Sequence, residues 1–335
     1  MRRFHLFQGL WTRLSIAAGV LATVAGMAAP SFAAVVSFGS GANQFNMEFV
    51  TIRNPNNVAD ITGSPNPAGA VGYEYGIGKF EVSEEMITKF NASQSLQITK
   101  DTRGAAKPAT SVSWNEAARF VNWLNTSTGG SAAYKFTSGG VNDNIELWTS
   151  ADTADYDSSN PYRSIRAKYF LPSYNEWYKA AYYNPTNSTY YDFPNGSDTA
   201  PTEVASGTDD NTAVYNQTFV QGPADVNQAG GLSPYRVMGL GGNVFEWAES
   251  SRDLLNSSDS SDRVIRGGNW NSGFPGMLST IRNNDHSGTP SEEFNGVGFR
   301  VASLSSDAAV PEPSMMVIGT LFGLGGLMAK RRMKK

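Results

Sequence analysis

Apolar and polar residues alternate in the N-terminal part of the chain, which predicts strands there. Phe45 to Ile52 places most of its apolar side chains on one side of an extended chain. Tyr73 to Val82 alternates large and small residues, the pattern of a half-buried strand. Ser83 can then cap a helix that runs to about Ala92. A further short strand is predicted over residues 168 to 171.

Two later helices are predicted from their first turns. Ser113 with Glu116, and Ser173 with Glu176, have the spacing of a capping box, in which serine and glutamate satisfy each other's backbone donors. Behind the first box, apolar residues at 117, 120, 121 and 124 fall on one helical face. Helices are therefore expected to begin at residues 114 and 174.

A long polar stretch follows the second of these helices. Residues 184 to 235 consist mainly of Asn, Gly, Pro, Ser, Thr and Asp with scattered aromatics. So long a stretch is either functional or held by something other than regular hydrogen bonds. Tyrosines over 174 to 193 are candidates for exposed rings that stack on sugars, or for core and rim. These are Tyr174, Tyr178, Tyr182, Tyr183, Tyr190 and Tyr191.

Both ends of the chain carry apolar segments. Arg2, Arg3 and Arg13 precede an apolar run and small residues before position 34, which predicts a secretory signal peptide over residues 1–34. At the other end, residues 314–329 are apolar. Their sixteen residues would rise about 24 Å as a helix, less than the roughly 30 Å of a hydrocarbon core.

The C-terminal segment has a recognisable order of parts. Pro311-Glu312-Pro313 precedes the apolar residues, and a basic tail over 330–335 follows them. This order resembles a PEP-CTERM sorting signal. The resemblance implies transient anchoring in the inner membrane, cutting by an exosortase-type enzyme as a processing partner, and release to the cell surface or matrix. A plain tail anchor is the alternative.

Charge and cysteine content narrow the function classes. Residues 35 to 310 contain 18 Lys and Arg against 29 Asp and Glu, a net charge of −11. A nucleic-acid partner would need a basic face, so none is expected. The chain contains no cysteine, which excludes disulfides and thiolate zinc sites. His286, in a loop, is expected to be a solvated surface residue.

Two glycine-rich motifs stand out in the C-terminal third. Gly241 to Trp247 reads GGNVFEW, and Arg263 to Trp270 reads RVIRGGNW. Gly298 to Val301, which reads GFRV, follows the second motif about thirty residues later. Paired glycines allow backbone angles that other residues reach poorly. The motifs therefore predict tight turns packed against aromatic rings.

Three upstream segments extend this pattern. They are Ile77 to Ser83, Pro108 to Ala117 and Phe170 to Trp177. With the glycine motifs they resemble, in the right order, the formylglycine-generating enzyme family, also called the sulfatase-modifying factor domain. The resemblance covers about residues 70 to 303 and implies a compact, loop-rich α+β fold related to C-type lectins.

The predicted organisation of the chain follows from these segments. It comprises a signal peptide over 1–34, an N-terminal strand region over 35–69 packed on the domain, the sulfatase-modifying-factor-like domain over 70–303, a linker with the Pro-Glu-Pro box over 304–313, the sorting helix over 314–329 and the basic tail over 330–335.

The chain departs from the family at two positions that carry the family's chemistry. In the family, two cysteine thiolates bind copper(I) and activate oxygen. Their places are taken here by Ser272 and Met277, and a serine hydroxyl is not ionised at neutral pH. Arg282 and Arg300 keep the family's framework positions. No catalytic residue and no copper are therefore expected.

Calcium is the cofactor that the resemblance still implies. The carbonyls of Gly242 and Val244 and the carboxylate of Glu246 match one family site, braced by Asn243. The family has an Asn or Asp side chain where this chain has Gly239, which weakens the site. A second site is expected within 210 to 226. Its candidate ligands are Asp210, Asn211, Asn216 and Asp225.

The function is predicted from these residues together. The binding candidates in the motifs are Asn243, Trp247, Asn269, Trp270 and Arg282. The favoured hypothesis is an exported, surface-sorted, non-catalytic binding or matrix module that contacts extracellular polysaccharide or peptide and meets the membrane only through its sorting helix. The alternatives are an oxidoreductase of the same superfamily with an unrecognised metal site, and a structural component of an extracellular polymer layer.

Overall fold

The computed structural model describes residues 33–281 and 287–304. Residues 1–32 of the predicted signal peptide, the Pro-Glu-Pro box, the C-terminal apolar segment and His286 lie outside these residues, while positions 33 and 34, predicted as the last residues of the signal peptide, begin the first strand. Within them, no helix is long and apolar enough to cross a membrane.

Short strands and three helices make up the described part of the chain. The strands are β1 (Ala33–Phe38), β2 (Phe45–Ile52), β3 (Tyr75–Gly78), β4 (Tyr169–Phe170), β5 (Tyr183–Asn184), β6 (Thr189–Tyr190), β7 (Thr202–Glu203), β8 (Thr212–Ala213), β9 (Phe245–Ser251), β10 (Arg263–Arg266), β11 (Ser287–Gly288), β12 (Val297–Gly298) and β13 (Ala302–Leu304). The helices are α1 (Glu84–Ser93), α2 (Trp114–Ser127) and α3 (Tyr174–Tyr182), with 3₁₀ turns at Gly41–Asn43 and Phe274–Met277. This is the loop-rich α+β fold that the sequence predicts.

Two sheets carry the fold. The first has the order β1-β2-β3-β13-β4, and all of its neighbouring strands are antiparallel. The second has the order β11-β10-β9-β12, in which β12 runs parallel to β9. The C-terminal strand β13 lies between β3 and β4, so the two ends of the domain close one sheet.

Both predicted capping boxes are present. The Ser113 hydroxyl accepts a hydrogen bond from the Glu116 amide at 3.1 Å, and the Glu116 carboxylate accepts one from the Ser113 amide at 2.9 Å. Ser173 and Glu176 make the same reciprocal pair at the start of α3. Ser83 also caps α1, as predicted, through the Met86 amide. These signals are local, which is why the sequence locates them well.

One expectation about exposure is wrong, and the core-and-rim interpretation of the tyrosine cluster is confirmed. The strand predicted from Tyr73 to Val82 is limited to β3, and all four of its residues are buried rather than half-buried. The reason is that β3 lies inside the five-stranded sheet, between β2 and β13. Within the tyrosine cluster of 174 to 193, Tyr174, Tyr178 and Tyr182 are buried because α3 packs its rings into the core. Tyr183 is buried with them.

Candidate functional site

The two glycine motifs meet at the centre of the second sheet. β9 pairs with β10 so that Trp247 lies opposite Ile265 and Glu246 lies opposite Arg266. The loop before β9 and the loop after β10 join through the Gly242 amide, which donates to the Gly267 carbonyl at 2.8 Å. We refer to residues 239–247 together with 263–277 as the glycine-motif site.

Gly242 is required by geometry. Its φ is +77°, a value that favours glycine, and a Cβ there would lie 2.3 Å from the Val214 carbonyl oxygen. The close approach lets the neighbouring Asn243 amide donate to that same carbonyl at 2.7 Å. The glycine therefore allows the loop to dock against residue 214.

Asn243 ties this loop to three other segments. Its side-chain oxygen accepts a hydrogen bond from the Ala224 amide at 2.8 Å, and its side-chain nitrogen donates to Glu81 at 2.9 Å. Its carbonyl accepts a hydrogen bond from the Trp270 amide at 2.9 Å. Asn243 is fully buried, so all of this bonding takes place inside the protein.

Glu246 is the acidic centre of the site, and its charge is already paired. Its carboxylate accepts from the Arg300 Nη2 at 2.5 Å and Nε at 2.7 Å, and from the Trp177 indole nitrogen at 2.7 Å. Arg300 also donates to the carbonyls of Gly78 and Met238. Both members of the pair are fully buried, and the Glu246 charge raises the pKa of Arg300 against the effect of burial. Such a pair is stable only while both partners are present.

Glu81 is a second buried acid beside this pair. Its Oε1 accepts the Asn243 hydrogen bond, whereas its Oε2 has no hydrogen-bond partner within the described residues. Burial raises the pKa of Glu81 to about 8; Arg300 opposes the rise and Glu246 adds to it. A proton on the unpartnered oxygen accounts for the burial of this group at neutral pH.

Glu81 also explains Gly239, the position where the chain departs from the family pattern. A Cβ on Gly239 would lie 2.5 Å from Glu81 Oε1, and the φ of Gly239 is +76°. The Glu81 carboxylate thus fills the space where a side chain at 239 would begin. Glu81 belongs to the Ile77 to Ser83 motif, but the motif by itself gives no sign that this side chain lies against Gly239.

The residues around Glu246 do not fit calcium well. Calcium takes six to eight oxygen ligands, and the resemblance assigns Glu246 as the carboxylate among them. In this structure the Arg300 guanidinium already holds that carboxylate. A dication would have to displace a buried cation to bind there. The implied set of Gly242, Val244 and Glu246 therefore provides two carbonyls and a carboxylate that is already neutralised.

Three of the four candidate ligands of the second calcium site face separate partners. Asp225 pairs with Lys107 at 3.0 Å, and the Asn216 side chain donates to Glu203 at 2.6 Å. The Asn211 side chain accepts from Asn195. Across residues 33–281 and 287–304, no three His, Asp or Glu side chains gather as a metal-binding group.

Ser272 and Met277 both lie close to Gly268. A Cβ on Gly268 would be 3.4 Å from the Ser272 hydroxyl and 3.3 Å from Met277 Cγ. The Ser272 hydroxyl is engaged with the backbone of Asn269, while Met277 is fully buried against Phe193 and its neighbours. The two positions that match the family's cysteines are therefore close in space, as the resemblance implies.

The space beside Met277 is almost completely filled. The cavity it lines with Gly241 and Leu240 has a volume of about 10 Å³. That is about the room one water molecule needs, whereas small-molecule sites typically have a volume of about 300–1,000 Å³. A peptide substrate has no space there without movement of the surrounding chain.

The predicted binding residues are divided between core and surface. Asn243, Trp247 and Trp270 are fully buried, and the Trp247 indole donates to the Val112 carbonyl at 2.9 Å. They support the loops from inside instead of presenting a surface to a ligand. Asn269 is half-buried and is the described candidate nearest to solvent. Arg282 lies outside the described residues.

Sequence and structure comparisons agree on one class of protein. Residues 41–304 match the family described as the sulfatase-modifying factor enzyme 1-like domain. The chain therefore belongs to the formylglycine-generating enzyme, or sulfatase-modifying factor, family. No protein among those with curated descriptions matches the sequence.

Solved structures support the same fold. Treponema denticola variable protein 1 is 21% identical, with a TM-score of 0.54 over 82% of this chain and 99% of that one. CarF is 17% identical, with a TM-score of 0.54 over 78% of this chain and 99% of that one. PvdO from Pseudomonas aeruginosa is 17% identical, with a TM-score of 0.49 over 81% and 98% of the two chains. At these identities the first two show the fold and nothing further.

Proposed function

We propose that this protein is a non-catalytic binding module built on the formylglycine-generating-enzyme fold. The observation that carries the proposal is the replacement of the family's two cysteines by Ser272 and Met277. Met277 is fully buried and leaves a cavity of only about 10 Å³ beside it. Oxygen activation in the family needs thiolates, and the whole chain contains none. What remains is a rigid, loop-rich frame with surfaces that can bind.

The proposed setting is extracellular. The N-terminal apolar run supports export. The Pro-Glu-Pro box, with the apolar segment and the basic tail that follow it, supports exosortase-type sorting. The proposed partners after release are extracellular polysaccharide or peptide. The net charge of −11 over residues 35 to 310 speaks against nucleic acid.

Cofactors have a minor place in the proposal. Copper has no role, because neither a hydroxyl nor a thioether replaces a pair of thiolates. Calcium at Gly242, Val244 and Glu246 remains a proposal taken from the resemblance. Because it must compete with Arg300 for Glu246, we propose that it is dispensable for the fold.

The test is an assay of both activities on the same preparation. A sulfatase-type cysteine peptide is incubated with the protein, with and without copper, and analysed by mass spectrometry; the expected result is no formylglycine. Glycan and peptide arrays are probed in parallel, and specific binding is expected on one of them. Peptide oxidation that disappears in Met277→Leu or His286→Ala would instead establish the oxidoreductase alternative.

A further inference from the structure

A groove with aromatic walls lies beside α2, away from the glycine-motif site. It is bordered by the C-terminal end of α1, by α2 and by residues 132–148, and its volume is about 460 Å³. This volume falls within the range of small-molecule sites, unlike the cavity beside Met277. We call it the α2 groove.

Three half-buried aromatic rings line the α2 groove: Trp123, Phe136 and Trp148. Trp123 stacks on Phe45 behind it, with ring centres 5.9 Å apart and planes inclined by 25°. The Trp148 indole nitrogen donates to the Ala133 carbonyl at 3.0 Å. Both rings are therefore held in place before any ligand arrives, so binding would lose little conformational entropy.

The Phe136 ring is fixed by a cation. The Arg119 guanidinium lies 3.8 Å from its centre and donates to the carbonyls of Ser138, Gly140 and Val141. Arg119 thus forms part of the wall, with its donors directed to the backbone. The groove gains a flat, rigid surface, and the Nε and Nη2 donors of this cation are directed to backbone carbonyls.

The other cation in the groove is paired with acidic side chains. The Lys135 ammonium contacts Asp152 at 3.1 Å and Glu146 at 3.8 Å. A groove whose cations are already satisfied, in a domain of net charge −11, does not attract an anionic ligand. This argues against uronates, phosphates and acidic peptides.

One polar group in the groove lacks a partner. The side-chain nitrogen of Gln94, at the C-terminal end of α1, is buried and has no acceptor within the described residues. A buried donor without a partner lowers stability, and the half-buried Gln94 side chain would satisfy it by turning toward an oxygen on a bound ligand. The groove therefore offers apolar ring faces and a hydrogen-bond donor, and its lysine is already paired.

We propose that the α2 groove binds a neutral saccharide. The C–H faces of pyranose rings match the aromatic rings, and a hydroxyl oxygen matches the free donor of Gln94. A peptide fits less well, because the polar groups of Asn122 at the groove floor are already bonded to the backbone of Ala133 and Tyr134. This inference rests on the proposed binding function and names its ligand class.

The test uses the full-length chain and a panel of neutral hexose oligosaccharides (linear glucans, mannans and galactans), with oligogalacturonate as the charged counterpart. Affinity is measured by titration calorimetry. Trp148→Ala is expected to weaken binding of the neutral ligand at least about tenfold, the size expected for truncating an aromatic anchor. Gln94→Met, which keeps the shape and removes the donor, is expected to weaken it severalfold.

The matched control is Phe219→Ala. Phe219 is 51% exposed and contacts Trp270, so it lies beside the glycine-motif site and outside the groove. It should leave saccharide affinity unchanged, and thermal melting verifies that all variants fold. If Trp148→Ala fails to fold, Gln94→Met alone decides the outcome.

The outcomes separate this inference from the proposed function. Neutral saccharide binding that survives Trp148→Ala and Gln94→Met, or that Phe219→Ala removes, overturns the groove assignment and leaves the binding function standing. Binding of oligogalacturonate or of peptides alone overturns the neutral saccharide. If neither glycan nor peptide binds, both the inference and the proposed function fail.

Discussion

The glycine-motif site and the α2 groove differ in how they use polar groups. In the first, Glu246 and Arg300 are fully buried and bonded to each other, and the cavity beside Met277 holds about 10 Å³. In the second, the charged groups lie at partly exposed walls around about 460 Å³. The motifs that identify the family therefore stabilise this protein, while the groove that is open to a ligand lies elsewhere in the fold.

This comparison shows why family motifs alone do not locate a function. Function depends on the particular site more than on the fold. Here the residues that make the fold recognisable form a closed network. The aromatic rings of the groove lie outside the family motifs. Comparable substitutions in the two regions should therefore lower the free energy of unfolding by different amounts.

The largest expected effect comes from breaking the buried ion pair. Glu246→Ala leaves the Arg300 charge buried without its partner, so the free energy of unfolding should fall by about 3–5 kcal/mol in urea denaturation. The control from the groove is Lys135→Ala, which removes the partly exposed contact with Asp152 and should cost less than about 1 kcal/mol. Equal losses in the two variants would contradict the comparison.

A pair of glycines tests the tight packing of the site. Gly129, just after α2, has φ +81°, and an added Cβ there would have no atom within 4 Å, so Gly129→Ala should cost about 1 kcal/mol from backbone strain alone. Gly242 has a similar φ but faces the Val214 carbonyl, so Gly242→Ala should cost at least about 1 kcal/mol more. Denaturant midpoints compare the two directly. Matching losses would show that the loop at 242 can shift without penalty.

How much the sequence predicts depends on whether the deciding interaction is local. The boxes at Ser113 and Ser173 involve residues three apart, so the helix starts are found correctly. The burial of Tyr178 depends on which core α3 meets, and an ordered list of residues does not contain that information.

The candidate site shows the same limit. The sequence pairs Ser272 and Met277 with the family's cysteines, and the structure brings both to Gly268. The sequence gives no sign that Glu81 lies against Gly239, because these residues are far apart in the chain and meet only after folding. Arg300 is recognised as a framework residue, yet its bond to Glu246 follows only from tertiary packing.

The unpartnered acid of the glycine-motif site predicts a pH dependence. The pKa of Glu81 is raised from 4.5 to about 8 in the folded protein, so between these values the folded state binds a proton that the unfolded state lacks. Its contribution to stability is fully present below about pH 4.5 and is lost as pH rises through about 8, at up to about 1.4 kcal/mol per pH unit. Urea denaturation across this range should show the loss, and Glu81→Gln should remove that component. A Glu81→Gln variant with the same pH profile as the original protein would show that Glu81 is already ionised.

Removal of calcium should have the smallest effect. An ion bound only to the folded state at one hundred times its Kd would stabilise it by about 2.7 kcal/mol, or about 5–10 °C in Tm for a domain of this size. Because Arg300 already neutralises Glu246, we expect the same Tm, within about 1 °C, in chelator and in millimolar calcium. The informative control is Arg300→Met, which frees Glu246 and leaves Glu81 beside it. This variant should be less stable, but its Tm should rise with calcium, since the buried Glu246 carboxylate would then lack a cation. A calcium-dependent Tm in the unaltered protein would mean that calcium and Arg300 share the carboxylate, and the glycine-motif site would then hold a cofactor despite being closed.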